Sequence, residues 1–68
     1  MIDLSEFENK TILITGAAGT IGSELCRKIL EIGPKKLIAI DSSEIGLFNL
    51  IKKCNDYDSE KFFLLGDL

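Results

Sequence analysis

The residues best equipped for chemistry stand in one run, Thr15-Gly16-Ala17-Ala18-Gly19-Thr20-Ile21-Gly22, and at two acids further along, Asp41 and Asp67. Glycines at this T-G-x-x-G-x-x-G spacing suit a tight turn between a strand and a helix that receives a dinucleotide pyrophosphate. Gly16 permits the sharp exit from the strand, Gly19 lets backbone approach the phosphates, and Gly22 lets helix and strand pack closely. No cationic side chain is required. Exposed N–H groups around Gly19, Thr20 and Ile21 face the anion, the helix dipole reinforces them, and the Thr20 hydroxyl adds a donor.

Asp41 lies about 20 residues beyond the loop, where a carboxylate accepts hydrogen bonds from the ribose hydroxyls of an adenosine. It would repel a 2′-phosphate, and Ser42 and Ser43 bring no Arg to offset that, so NAD is expected in preference to NADP. The plainer role for Asp41 is to help cap the helix that follows. Asp67 has two readings as well. It either bonds the adenine amino group, with Leu68 packed on the ring, or is a solvated loop acid. A glycine triad also marks ordinary turns, so the elements around it must decide.

Those elements are legible. Thr11-Ile12-Leu13-Ile14-Thr15 is a β-rich run that stops at glycine, and Ile21, Leu25, Ile29 and Ile32 then recur near helical spacing until Gly33-Pro34. Lys36-Leu37-Ile38-Ala39-Ile40-Asp41 predicts a second strand, with Ser42 or Ser43 as the N-cap of a second helix. The apolar face of that helix is expected to be Leu47, Phe48, Leu50, Ile51 and Cys54. A polar turn, Asn55-Asp56-Tyr57-Asp58-Ser59, leads to a third strand, Lys61-Phe62-Phe63-Leu64-Leu65. The order β-α-β-α-β with consecutive apolar strand positions predicts an α/β protein, half of a doubly wound Rossmann-type parallel sheet that is three-layered when complete.

Right-handed crossovers put both helices on one side of such a sheet, which leaves apolar residues bare on the other. Residues 1–68 are therefore expected to be the N-terminal part of one NAD(P)-binding domain, with the rest of the domain and the substrate region supplied further along the chain. The alternative is a free-standing miniature that dimerises through the bare face.

Composition excludes other classes. With 8 basic and 11 acidic residues the net charge is −3, and Lys35, Lys36, Lys52 and Lys53 are interspersed with acids, so no basic stripe suits nucleic acid. No apolar run approaches the roughly 18 residues of a membrane span, and the acidic start, Met1-Ile2-Asp3-Leu4-Ser5-Glu6, is unlike a signal peptide. A cytoplasmic setting is expected. Cys26 and Cys54 have no histidine partner and no C-x-x-C spacing, and read as small buried hydrophobes.

Taken at greater length, Ile12-Leu13-Ile14-Thr15-Gly16-Ala17-Ala18-Gly19-Thr20-Ile21-Gly22-Ser23-Glu24-Leu25-Cys26 resembles the extended short-chain dehydrogenase/reductase superfamily. Pro34-Lys35-Lys36-Leu37, Asp41-Ser42-Ser43-Glu44 and Leu47-Phe48 narrow the likeness to the CapD-like polysaccharide-biosynthesis proteins, the UDP-N-acetylglucosamine 4,6-dehydratase group. Gly66-Asp67-Leu68 is similar to the superfamily's adenine-contacting segment. The resemblance implies oxidation at C4 of a UDP-linked N-acetylhexosamine by bound NAD(P), loss of water across C5 and C6, and hydride return to C6. It also implies a full-length homo-oligomer whose catalytic residues, a Tyr-x-x-x-Lys pair with a Thr or Ser and an acid/base couple, lie downstream of Leu68. Related outcomes are a sugar-nucleotide epimerase or reductase, and a non-catalytic dinucleotide-sensing module. Tyr57-Asp58-Ser59-Glu60-Lys61 has the catalytic spacing, but it spans a turn instead of a helix and is expected to be a chance match.

Overall fold

β-Branched, aliphatic and aromatic residues crowd three short stretches, and in the computed structural model, which describes residues 4–67, these stretches are strands. They are β1 (Thr11–Thr15), β2 (Lys36–Asp41) and β3 (Glu60–Leu65), all parallel, in the spatial order β1-β2-β3. Helix α1 (Thr20–Ile32) connects the first pair and helix α2 (Glu44–Cys54) the second, and a single 3-10 turn at Leu4–Phe7 precedes β1. This is the Rossmann-type β-α-β-α-β arrangement that the sequence implies, with β3 beginning at Glu60, one residue before the expected Lys61. Strand β1 forms one edge of the sheet.

The register places Ile14, Ala39 and Phe63 in one row across the sheet, and Leu13, Ile38 and Phe62 in the adjoining row on the opposite face. Both helices cover the first face. The core between them consists of Ile14, Leu37 and Ala39 from the strands, Cys26, Ile29 and Leu30 from α1, and Leu47, Leu50 and Cys54 from α2. Burying each large aliphatic side chain here contributes about 1.5–3 kcal/mol. On the opposite face Leu13, Phe62 and Leu64 remain 57%, 41% and 48% exposed.

The inward faces of both helices differ from their expected stripes. In α1, Ile29 is buried, but Ile21 is 85% exposed and Leu25 lies at the surface, while Cys26 and Leu30 point inward. The physical reason is the third loop glycine. Gly22 must face the loop, and Cys26, Ile29 and Leu30 fall on an arc from about −20° to about +80° around the helix relative to it, whereas Leu25 lies about 60° to the other side. In α2, Leu47, Leu50 and Cys54 are buried as expected, whereas Phe48 and Ile51 lie on the outer side, where the Lys52 ammonium sits 4.4 Å from the Phe48 ring centre. Five residues covered too wide an arc for one helix to bury against one sheet.

Cys26 and Cys54 are free and fully buried. Burial, and secondarily the nearby Cys54 thiol, pushes the Cys26 thiol up to about 11, so it is held protonated and unreactive. Among the described residues, no helix is long and apolar enough to cross a membrane.

Candidate dinucleotide site

The phosphate loop leaves β1 at Gly16, whose φ of +64° lies in the left-handed region that glycine adopts without strain. Ala17 is then fully buried, and its N–H donates to the Ile40 carbonyl at 3.1 Å, stitching the loop to the end of β2. Gly19 is the N-cap of α1 in an extended conformation, and no side chain caps it. The first helical hydrogen bond runs from the Ser23 N–H to the Gly19 carbonyl at 2.8 Å. The Gly19 N–H, expected to face the anion, donates instead to the Gly16 carbonyl at 3.2 Å, and it is the N–H groups of Thr20, Ile21 and Gly22 that point out of the helix end with no acceptor among the described residues. An anion is the natural partner for such a terminus.

Close packing accounts for Gly22. A Cβ at that position would stand 2.2 Å from the Gly16 carbonyl oxygen and 3.0 Å from the Ala17 Cα, so only glycine lets α1 approach the loop this closely. Gly19 has no such restriction, since its Cβ would meet only the Gly16 oxygen at 3.5 Å. Nothing among the described residues requires glycine there.

At the carboxyl ends of the strands, Thr15, Gly16, Ile40, Asp41, Ser42, Gly66 and Asp67 line a hollow of about 220 Å³. In open parallel α/β sheets this is where ligands collect. Of the residues singled out in the sequence, Gly16, Asp41, Ser42 and Asp67 meet in this hollow. Gly19, Thr20, Ile21 and Gly22 form the adjoining helix terminus, and Leu68 lies outside the described residues. Ser43 serves α2 directly: its Oγ accepts from the Gly46 N–H at 3.0 Å, which makes it the N-cap.

Asp41 takes the helix-capping role expected of it and adds a second, to the glycine loop. One oxygen, Oδ1, accepts from the N–H of Ser43 at 2.9 Å and so supports the start of α2. The other, Oδ2, reaches back across the chain to the N–H of Ala18, also at 2.9 Å, and holds the phosphate loop. A carboxylate has about four acceptor sites, so both oxygens retain capacity for hydroxyl donors from the hollow. Donation from Ser43 first, and then Ala18, holds the Asp41 carboxyl below the usual carboxylate range.

A folded-state pKa below the unfolded one means that this group contributes stability above its unfolded pKa and loses it as pH falls through the folded value. Asp41→Asn, which presents an amide where two N–H groups need acceptors, is therefore expected to lower Tm most at neutral pH. The gap to wild type should close on acidification. Thermal unfolding of both proteins from about pH 7 down to about pH 2 checks this, and a constant gap would show that charge plays no part.

Ala18 and Gly46 escaped the sequence reading. Ala18 carries nothing but a methyl, and its value as a donor to Asp41 spans 23 positions of sequence. Gly46 left a usable signal, since a glycine inside a helical pattern asks for a packing reason. Tyr57 and Lys61 do not meet through their functional groups. The Tyr57 hydroxyl lies 3.4 Å from Glu31 Oε1, while the Lys61 ammonium donates to the carbonyls of Tyr57 and Ser59. No group of three His, Cys, Asp or Glu residues able to hold a metal occurs among the described residues.

A parallel sheet with a glycine-rich first turn and an acid ending its second strand defines a Rossmann-type protein of the short-chain dehydrogenase kind. A short-chain dehydrogenase from Mycobacterium smegmatis superposes with a TM-score of 0.77 at 27% identity, over 96% of this chain and 32% of the other. Residues 12–68 match the family described as "Polysaccharide biosynthesis protein", and the chain belongs to that family. Its relatives include the capsular polysaccharide biosynthesis protein CapD of Staphylococcus aureus, 44% identical over 66% of this chain. They also include the probable polysaccharide biosynthesis protein EpsC of Bacillus subtilis, 40% identical over 79% of this chain. The chain spans only 8% of CapD and 10% of EpsC.

Proposed function

We propose that this chain forms the adenosine-diphosphate end of a nicotinamide-dinucleotide site in a sugar-nucleotide 4,6-dehydratase acting on a UDP-linked N-acetylhexosamine. The observation that carries the dinucleotide reading is Gly19, a glycine that the fold does not require, placed at an uncapped helix end beside the hollow. A side chain there would obstruct only a ligand. The residues fit the group in kind: open N–H donors and the Thr20 hydroxyl for the phosphates, Asp41 for a ribose, and Asp67 for an adenine amino group. When bound, the dinucleotide would supply the hydride acceptor and donor for oxidation at C4 and reduction at C6.

Membership of the polysaccharide family and the likeness to CapD and EpsC support a sugar-nucleotide substrate. Asp41, with Ser42 beside it, supports NAD over NADP. The test is to incubate full-length protein with NAD and UDP-N-acetylglucosamine and follow products by mass spectrometry and NADH by absorbance. The expected outcome is loss of one water from the sugar with no net NADH. Accumulating NADH, or a product of unchanged mass and altered C4 configuration, would replace the dehydratase with a dehydrogenase or an epimerase. Dinucleotide binding without turnover would indicate a sensing module.

A further inference from the structure

Ala18 is gripped at both ends. Its N–H donates to Asp41 Oδ2 at 2.9 Å, and its methyl faces α2 at Gly46, where an added Cβ would come within 2.7 Å of the Ala18 Cβ. The first turn of α2 is tied back to the same carboxylate, because the Ser43 N–H donates to Asp41 Oδ1 and the Ser43 Oγ accepts from the Gly46 N–H. Asp41, Ala18, Gly46 and Ser43 thus close a circuit of contacts joining the end of β2, the phosphate loop and the start of α2. Glycine is a poor helix former, so its place in α2 needs a packing reason, and the Ala18 methyl provides one.

The geometry points to Ala18 and Gly46 as a matched pair that sets the spacing between the phosphate loop and α2. On this inference, which rests on the dinucleotide reading above, Gly46 is a positioning residue for the bound nucleotide although it does not line the hollow. A methyl added at position 46 also falls 3.0 Å from the Ser43 Oγ, so it must displace either Ala18 or the N-cap. Both displacements reach the Asp41 carboxylate, and the first also moves the loop that presents its N–H groups. A hydrogen-bonding site loses function when its donors move by more than about 0.5 Å. Removing the methyl from Ala18 clears the 2.7 Å overlap and leaves only the close approach to the Ser43 side chain, so the two changes together largely keep the contact between loop and helix.

The test uses full-length protein carrying G46A, A18G or both, with NAD affinity measured by titration calorimetry and Tm measured without nucleotide. G46A is expected to weaken NAD binding on the order of tenfold, as a misplaced donor set does. The double variant is expected to bind within about threefold of wild type, because residues in contact are energetically coupled. Should G46A fail to fold, A18G serves alone: it opens a gap beside the loop and is expected to weaken binding several-fold while the fold persists. G46A or A18G that folds and binds like wild type overturns the pair, as does a double variant that regains Tm without regaining affinity. Wild-type protein that binds neither NAD nor NADP overturns the dinucleotide reading itself, and the pair with it.

Discussion

Alanine at Gly22 is expected to unfold this domain, whereas alanine at Gly19 is expected to leave it folded and remove nucleotide binding. The two positions belong to one motif but differ in what surrounds them. At Gly22 the nearest obstacles are the Gly16 carbonyl oxygen at 2.2 Å and the Ala17 Cα at 3.0 Å, both main-chain atoms that no rotamer change can clear. Relief requires α1 to lift off the loop, which also pulls Cys26, Ile29 and Leu30 from the core. Overpacking of this kind costs about 3 kcal/mol or more, a large share of the roughly 5–15 kcal/mol that holds a domain together.

At Gly19 the backbone has φ −70° and ψ 171°, which any residue adopts, and the nearest atom to a Cβ is at an ordinary 3.5 Å. Stability should change by no more than about 0.5 kcal/mol. The methyl would nevertheless stand where a pyrophosphate must approach the helix end, and a loss on the order of a hundredfold in NAD affinity is expected, about 2.7 kcal/mol. Urea unfolding and NAD titration of the two variants separate these effects. Wild-type affinity in Gly19→Ala would remove the phosphates from this loop, and wild-type stability in Gly22→Ala would remove the close helix contact.

The second large effect concerns the choice between dinucleotides. Ser42 is exposed and lines the hollow beside Asp41, and its side chain makes no hydrogen bond among the described residues. Ser42→Arg is expected to raise the ratio of NADP to NAD affinity on the order of a hundredfold, because a guanidinium there can pair with a 2′-phosphate. Tm without nucleotide should be unchanged. Replacing Asp41 instead would give a poorer switch, since the same carboxylate holds Ala18 and Ser43, and Asp41→Ser should weaken both dinucleotides and lower Tm together. An unaltered ratio in Ser42→Arg would place the ribose elsewhere, and tighter binding of NADP than NAD by wild type would refute the role of Asp41.

Several levels of this protein were legible from residue order. Strands β1 and β2 have the bounds that their apolar runs suggest, because each run is flanked by turn-forming or charged residues and needs no distant partner to be recognised. The glycine loop falls between β1 and α1, and the end of α1 at Gly33-Pro34 follows from local backbone chemistry. The orientation of the helices was less accessible. Ile21, Leu25, Phe48 and Ile51 share a helical period with the core residues, and a period alone does not say which arc of a helix turns inward.

What the sequence determined by itself was local: a parallel α/β unit, a glycine-rich strand-to-helix turn, and an acid at the end of the second strand. What tertiary structure decided was contact between segments far apart in the chain. Gly46 against Ala18 matches α2 to the loop. The Asp41 carboxylate couples both to the end of β2. Hydrogen bonds and steric limits act over a few ångströms in space, whatever the separation along the chain, so these pairings became visible only once the sheet had brought its strand ends together.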